Sequence, residues 1–345
     1  MSVITIIGAG MMGSALAYPA SANGNTVRLV GTPLDRNIIA HARKTGEHLT
    51  LKRRLPDGIE YFQTEFTDDA IFGSDLIVCG VSSFGVEWFV SNIIPRLPEN
   101  IPVLSITKGM VNREGGALIS YPEVFEQSTT KKISFNAVGG PCTSYELADR
   151  DPTEVTFCGR DIETLRHIKA MFETDYYNIS LSTDVRGVEC AVAMKNAYAL
   201  GVSLAIGLSW RREGREFEHY NSQAALFGQS LREMSKLLYL CGGSQACLPL
   251  GAGDLYVTVF GGRTRKIGTL LGTGLSFDEA MKKLQGVTLE SIVIARRTSA
   301  AVRELITAGK NTAADFPLLL HIDSLINDGA EVNIPWKAFE SETII

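Results

Sequence analysis

The sequence predicts two domains: an α/β N-terminal half wound around a parallel sheet, then an all-α C-terminal half. Three observations carry that expectation. Short apolar runs ending in small, polar or charged residues recur from Val3 to about Ser182. Near Thr183 those runs stop and helical periodicity continues to the end. A chain of 345 residues is also too long for one ordinary core. The boundary is therefore placed at 183/184, giving domains 1–183 and 184–345.

Composition narrows the function. Hydrophobic residues make up 45% and charged residues 21%, the balance of a soluble globular protein. The net charge of -5 and the lack of a long basic run argue against nucleic acid as a partner. Cys79, Cys142, Cys158, Cys190, Cys241 and Cys247 are scattered, with no CxxC pair, so neither a zinc site nor a disulfide framework is expected. A strand begins within three residues of Met1 and leaves no room for a signal peptide, so the expected compartment is the cytoplasm.

The first element is the most specific. The strand Val3 to Ile7 runs into Gly8-Ala9-Gly10-Met11-Met12-Gly13, then a helical pattern to Ala22 that Asn23-Gly24-Asn25 closes. Thr26 to Val30 is the second strand. This is a GxGxxG turn inside a βαβ unit, the mark of a Rossmann-type dinucleotide-binding domain. Its first glycine makes the turn, its second lets a pyrophosphate near the backbone, and its third lets helix and strand pack closely. The second strand ends in Gly31-Thr32-Pro33-Leu34-Asp35-Arg36. An acid at its tip would hold the ribose hydroxyl of NAD. None stands there, while Thr32 and Arg36 suit a 2′-phosphate, which favours NADP over NAD. Arg36 is equally acceptable as a plain surface arginine, and Asp35 could still reach a ribose.

Later strands place further candidates. Leu76 to Val81 ends in Ser82-Ser83-Phe84, Val103 to Ile106 ends in Thr107-Lys108-Gly109, and Ile133 to Val138 ends in Gly139-Gly140-Pro141. Ligands of open parallel sheets sit beyond such carboxyl ends. Lys108 stands out as either a site residue or a solvated turn lysine. Glu154 to Cys158 and Ile179 to Ser182 add strands, with a helix from Arg160 to Phe172 between them.

The second half opens with the apolar helix Glu189 to Leu208, which interrupts its own pattern with Lys195 and Asn196. A helix of that length spans about 30 Å. Its polar and glycine content argues against a membrane span. A lysine inside it must meet a carboxylate, face a wet pocket or snorkel to the surface. Trp210 to Tyr220 is charged and reads as a solvated excursion. Gln223 to Cys241 is helical. The stretch Gly251 to Lys266 brackets Asp254, Thr258 and a basic cluster with glycines, a pattern suited to an oxyanion. Ser276 to Leu284, Thr288 to Ile306 and Phe316 to Leu325 complete a helical domain.

Together these residues resemble the NAD(P)-dependent glycerol-3-phosphate dehydrogenase family over nearly the whole chain. The points of likeness keep their order: the glycine turn, Thr107-Lys108-Gly109, Gly140-Pro141 with Glu146 and Pro152-Thr153, Glu189 with Lys195-Asn196, Gly253-Asp254-Leu255 with Thr258, Gly261-Gly262-Arg263, and Val287-Thr288-Leu289-Glu290. The resemblance implies reversible reduction of dihydroxyacetone phosphate to glycerol 3-phosphate. It makes Lys195 the proton donor and carbonyl polariser, Lys108 a second active-site lysine and Asp254 the carboxylate that orients Lys195. It puts Asn196, Thr258, Arg263 and Thr264 on the substrate, with Arg263 on its phosphate. Gly8, Gly10, Met11, Met12, Gly13, Thr32, Arg36, Ser82, Lys108, Ser144, Arg263 and Glu290 fall to the cofactor, NADP or NAD. It further implies a homodimer with no stable membrane insertion and no metal.

The chain departs from that pattern in places. Thr264 stands where the family usually has Asn, and Ser291 where it commonly has Gly. Cys142-Thr143-Ser144 replaces a small–aromatic–Ala run, and the Trp210 to Tyr220 segment is longer and more charged. These touch the exact substrate more than the reaction. Two competing readings are a reductase of another phosphorylated ketose or a hydroxy acid on the same architecture, and a non-catalytic NADP sensor. Ketopantoate and β-hydroxyacid reductases lack the Gly-Asp-Leu…Gly-Gly-Arg stretch, and a sensor has no use for Lys108, Lys195 and Asp254 together.

Overall fold

The computed structural model describes residues 1–340. Residues 341–345, the end of the expected second domain, lie outside the described residues. The chain divides into two compact units, Met1–Lys108 with Ser120–Glu189, and Gly109–Ile119 with Cys190–Ile345. The division thus falls inside one helix, and a short internal segment groups with the C-terminal unit.

The first unit is built on β1 (Val3–Ile7), β2 (Thr26–Val30), β3 (Glu60–Phe62), β4 (Leu76–Cys79) and β5 (Pro102–Ser105). After the separate strands β6 (Met110–Arg113) and β7 (Ala117–Ser120) come β8 (Ser134–Gly139), β9 (Thr153–Cys158) and β10 (Tyr177–Ser182). The sheet order is β10-β9-β8-β5-β4-β1-β2-β3. Ile6 of β1 stands opposite Leu29 of β2 on one side and Val78 of β4 on the other, both in parallel register. The central strands are apolar at nearly every position because helices cover both faces. Those helices are α1 (Met11–Ala15), α2 (Ala17–Ala22), α3 (Arg36–Thr45), α4 (Thr67–Ile71), α5 (Val86–Asn92), α6 (Tyr121–Gln127), α7 (Ser144–Ala148) and α8 (Ile162–Phe172). Ile4, Leu29, Leu76, Leu16 and Ala20 meet in one buried cluster with Phe157 and Phe172.

Two details differ from the sequence reading. The β8–β9 pair is antiparallel. Only the short α7 lies between these strands, and a parallel return needs a longer crossover, usually a full helix. The glycine-turn helix breaks into α1 and α2 at Leu16. Pro19 has no N–H for the Ala15 carbonyl, which interrupts the ladder there.

The second unit is helical. Its elements are α9 (Val185–Glu213), α10 (Tyr220–Leu240), α11 (Leu248–Val259), α12 (Gly262–Gly272), α13 (Phe277–Lys283), α14 (Glu290–Thr307) and α15 (Pro317–Asn327). α9 begins in the first unit and runs through the boundary. By length and hydropathy it could cross a membrane, but 83% of its most apolar window is buried in protein. It also absorbs Trp210–Glu213, so the expected solvated excursion shrinks to a loop over 214–219.

Backbone contact explains how α11 and α12 pack on α9. A Cβ on Gly251 would lie 2.6 Å from the Ala191 carbonyl oxygen, and one on Gly207 would lie 2.1 Å from that of Thr269. No side chain fits in either place, so glycine sets the helix spacing. The β6–β7 hairpin, which the sequence reading passes over, joins this unit through α14. The Gly116 N–H donates to Glu304 Oε2 at 2.7 Å, and a Cβ on Gly116 would lie 2.7 Å from the Ala301 carbonyl oxygen.

One buried carboxyl ties three helices together. Glu233 of α10 is fully buried. It accepts from the Leu318 and Leu319 N–H groups at 2.8 and 2.9 Å, from Gln229 Nε2 at 2.8 Å and from the Tyr198 hydroxyl at 3.1 Å. It therefore caps the start of α15, where Phe316 supplies no side-chain cap. Burial pushes its pKa up, while these donors pull it back. Glu233→Ala strands several buried donors at once and should cost about 3 kcal/mol or more of unfolding free energy. Chemical denaturation checks this, and a loss below about 1 kcal/mol would contradict the capping role.

Candidate active site

In the first unit the glycine turn is a backbone-on-backbone structure. Gly8 has φ +115°, in the region that favours glycine. A Cβ there would lie 2.6 Å from the Gly80 carbonyl at the end of β4, and one on Gly13 would lie 2.3 Å from the Gly8 oxygen. A Cβ on Gly10, by contrast, would meet nothing within 4 Å. The turn is closed on its protein side and open at Gly10. Gly10 caps α1 without a side-chain bond, so the first N–H groups of that helix are available to an anion. That is the shape a pyrophosphate requires.

The Ala9 peptide inside the turn is held at both ends. Its N–H donates to Asp35 Oδ2 at 3.2 Å. Its carbonyl lies 2.9 Å from His48 Nε2. His48 Nδ1 accepts from the Leu51 N–H at 2.9 Å, so Nε2 carries the ring proton and donates to Ala9. Burial lowers the His48 pKa, which keeps the ring neutral. Sequence reasoning missed His48, because it sits in an irregular segment with no periodic or motif signal.

Asp35 also changes the reading of the β2 tip. Its Oδ2 accepts from the Thr32 N–H at 2.9 Å and from the Thr32 hydroxyl at 2.7 Å. The Thr32 proton is thereby committed to Asp35. Arg36 is exposed and makes a two-pronged ion pair with Glu65 at 3.1 and 3.0 Å, so a phosphate at this tip would compete with Glu65. Of the other expected cofactor residues, Met11 is exposed beside the Tyr145 hydroxyl, which donates to its Sδ at 3.4 Å. Met12 is half-buried, Ser82 is exposed just past β4, and Ser144 opens α7. Lys108 is half-buried, and its Nζ donates to the Gly140 carbonyl at 2.7 Å.

In the second unit, Lys195 and Asp254 meet. The ammonium donates to Asp254 Oδ1; the Lys195 side chain is 14% exposed and that of Asp254 is fully buried. Helix packing makes this pair. Gly251 touches α9 at Ala191, and one helical turn further along each helix come Asp254 and Lys195. An ammonium has three N–H bonds, so one spent on Asp254 fixes its direction without exhausting it. Asn196 is half-buried next in sequence.

Thr258 is bonded differently from expectation: its hydroxyl donates to the Asp254 backbone carbonyl at 2.7 Å, one turn back in α11. After α11, Gly262 has φ +81° and needs glycine, whereas Gly261 is extended, a conformation open to any residue. Arg263 is exposed in the first turn of α12 and makes no ion pair among the described residues, while Thr264 is buried behind it. Arg265, in the same basic stretch, has protein partners. It pairs with Glu218 and donates to the Val259 carbonyl, tying the 214–219 loop to the end of α11. Glu290 opens α14, half-buried, and the Ser291 hydroxyl behind it is buried with no hydrogen-bond partner among the described residues.

Two family descriptions match the chain. The N-terminus of NAD-dependent glycerol-3-phosphate dehydrogenase matches residues 3–165, and its C-terminus matches 184–336. The chain belongs to this family. The NADP(+)-dependent glycerol-3-phosphate dehydrogenase of Archaeoglobus fulgidus is 34% identical over 82% of this chain and 84% of its own. The glycerol-3-phosphate dehydrogenase [NAD(P)+] of Shouchella clausii is 30% identical over 99% and 95%. Among solved structures, the Coxiella burnetii glycerol-3-phosphate dehydrogenase superposes with a TM-score of 0.81 at 22% identity, over 98% of this chain and 97% of that one. That last likeness bears on the fold alone, and agrees with an α/β dinucleotide-binding half followed by a helical half.

Proposed function

We propose that the chain catalyses reversible hydride transfer between NAD(P)H and dihydroxyacetone phosphate, giving glycerol 3-phosphate. One observation carries the reading: a lysine inside a buried helix, oriented by a fully buried aspartate, in a chain that belongs to this family. Bound dinucleotide supplies the hydride. The rest falls to side chains. The glycine turn holds the pyrophosphate, with Ala9 pinned by Asp35 and His48. Lys195 donates to the substrate carbonyl oxygen, where negative charge grows as the carbon is reduced, and then gives up the proton that makes the hydroxyl. Asp254 keeps the ammonium aimed. Lys108 adds positive charge for the anionic substrate. Arg263 presents a planar fork for the phosphate, with Thr264 offering one hydroxyl in place of an amide.

The test follows NADPH oxidation with dihydroxyacetone phosphate and with dihydroxyacetone. Only the phosphorylated ketone should be reduced at a useful rate. Lys195→Ala should lose about a hundredfold or more in kcat, the usual cost of removing one donor to a developing oxyanion. A folded variant with near-normal turnover would refute the assignment.

We infer further that NADPH is preferred to NADH. Asp35 spends its Oδ2 on Ala9 and Thr32, and the exposed Arg36 at the β2 tip is the cation that a 2′-phosphate would take over from Glu65. The Archaeoglobus relative is described as NADP(+)-dependent, which agrees. The kcat/KM with NADPH should exceed that with NADH by about tenfold or more, the worth of one bond to a charged group. Arg36→Ala should narrow the gap, and equal or better use of NADH by the unmutated protein would end the idea.

A further inference from the structure

Ala9 lies between two glycines of the dinucleotide turn, and its carbonyl is bonded to a side chain that no motif supplies. His48 is fully buried, and its Nε2 donates to that oxygen at 2.9 Å. The Ala9 carbonyl belongs to the peptide unit that carries the Gly10 N–H. A trans peptide is planar, with its C=O and N–H pointing in opposite directions. Drawing the Ala9 oxygen onto His48 therefore turns the Gly10 N–H away from the ring. Gly10 is also where the turn is open, since a Cβ there would meet nothing within 4 Å. Asp35 does not fix this peptide. Its bond is to the Ala9 N–H, one peptide unit earlier, at 3.2 Å.

The segment 46–55 is built to deliver the ring. The Leu51 N–H donates to His48 Nδ1 at 2.9 Å, which leaves the ring proton on Nε2. The His48 N–H donates to the Arg53 carbonyl at 2.9 Å and the Leu55 N–H to the Gly46 carbonyl at 2.8 Å, which closes the segment on itself. It is then tied to its neighbours. The Tyr18 hydroxyl of α2 donates to the Arg54 carbonyl at 2.7 Å, and Arg53 pairs with Asp149 at the end of α7 at 2.6 and 2.8 Å. Lys52 stands at φ +55°, a left-handed conformation that is costly for a residue other than glycine. Such a conformation persists where its surroundings over-determine it, and ligand clamps are a common place for it.

We propose that His48 is a positioning residue for the dinucleotide: by holding the Ala9 carbonyl it aims the Gly10 N–H at the pyrophosphate. The 46–55 segment thereby sets cofactor affinity through the backbone of the turn. Without that bond the Ala9–Gly10 peptide is free to turn, and an acceptor oxygen meets the phosphates in place of a donor. The inference rests on the assignment of the glycine turn to NAD(P)H in the preceding section.

The test is equilibrium binding of NADPH and of NADH, followed by nicotinamide fluorescence with no substrate present, in the unmutated protein, His48→Asn and His48→Gln. Asn keeps an acceptor for the Leu51 N–H but ends short of Ala9, whereas Gln is long enough to donate to Ala9. His48→Asn should raise Kd about tenfold or more for both dinucleotides, which share the pyrophosphate; that is the worth of one bond to a charged group. His48→Gln should recover most of the loss. A folded His48→Asn protein with unchanged Kd overturns the proposal. So does a loss confined to NADPH, which puts the effect at the 2′-phosphate, or a His48→Gln protein as weak as His48→Asn. Where the variants do not fold, the unmutated protein decides. With glycine isotope-labelled for NMR, the Gly10 amide proton should move downfield on adding NADPH, and an unmoved Gly10 overturns the proposal. A protein that binds neither dinucleotide sinks the functional reading as well. One that binds both but does not reduce dihydroxyacetone phosphate sinks that reading alone.

Discussion

The ion pair between Lys195 and Asp254 is the constraint on which the helical unit depends. An ammonium in an apolar helix and a carboxylate with no exposed surface are each costly alone, and removing one partner of such a pair typically costs about 3–5 kcal/mol. Replacing both with apolar residues is often neutral or stabilising. The pair is thus a poor device for stability and a good one for aiming a donor. The glycines of α11 and α12 serve the same end. By letting those helices touch the α9 backbone, they bring a side chain as short as aspartate within bonding distance of the lysine.

The dinucleotide unit obeys a different rule. There the binding surface is backbone, and side chains act one layer behind it. Gly8, Gly13 and Gly80 exist because their neighbours leave no room for a Cβ. Asp35 and His48 then fix the Ala9 peptide between them, one taking its N–H and the other giving to its carbonyl. Fully buried His48 gives that support as a neutral ring. Two buried carboxyls illustrate how environments differ: Glu233 is saturated with donors and caps a helix, whereas Glu189 has no hydrogen-bond partner among the described residues.

Much of this was legible in the sequence where a pattern repeats or a residue breaks one. The strand–glycine–helix turn fixes its own backbone, so it was readable at once. Lys195 is conspicuous because it interrupts an apolar helix, but its own surroundings leave a carboxylate, a wet pocket and the surface all open, and only the family resemblance singles out Asp254. The features that stayed hidden depend on contacts distant in sequence. Nothing near His48 marks it as a support for Ala9, which is 39 residues away. The antiparallel β8–β9 pair and the β6–β7 hairpin on α14 depend on crossover length and on packing, which periodicity does not record. Thr32, Arg36, Thr258 and Arg265 have the composition of ligand-binding residues, yet each has a protein partner. A residue type shows what a side chain can bond, and the fold decides what it does bond.

The central claim is that Lys195 and Asp254 act as one unit. A double-mutant cycle on kcat/KM for dihydroxyacetone phosphate tests it most directly, with Lys195→Met, Asp254→Asn and the double variant, all checked for folding. If aspartate works only by aiming the lysine, the double variant should lose no more than Lys195→Met alone, a coupling of about 2 kcal/mol or more. If the two losses instead add, the residues act independently and the account of the site is wrong.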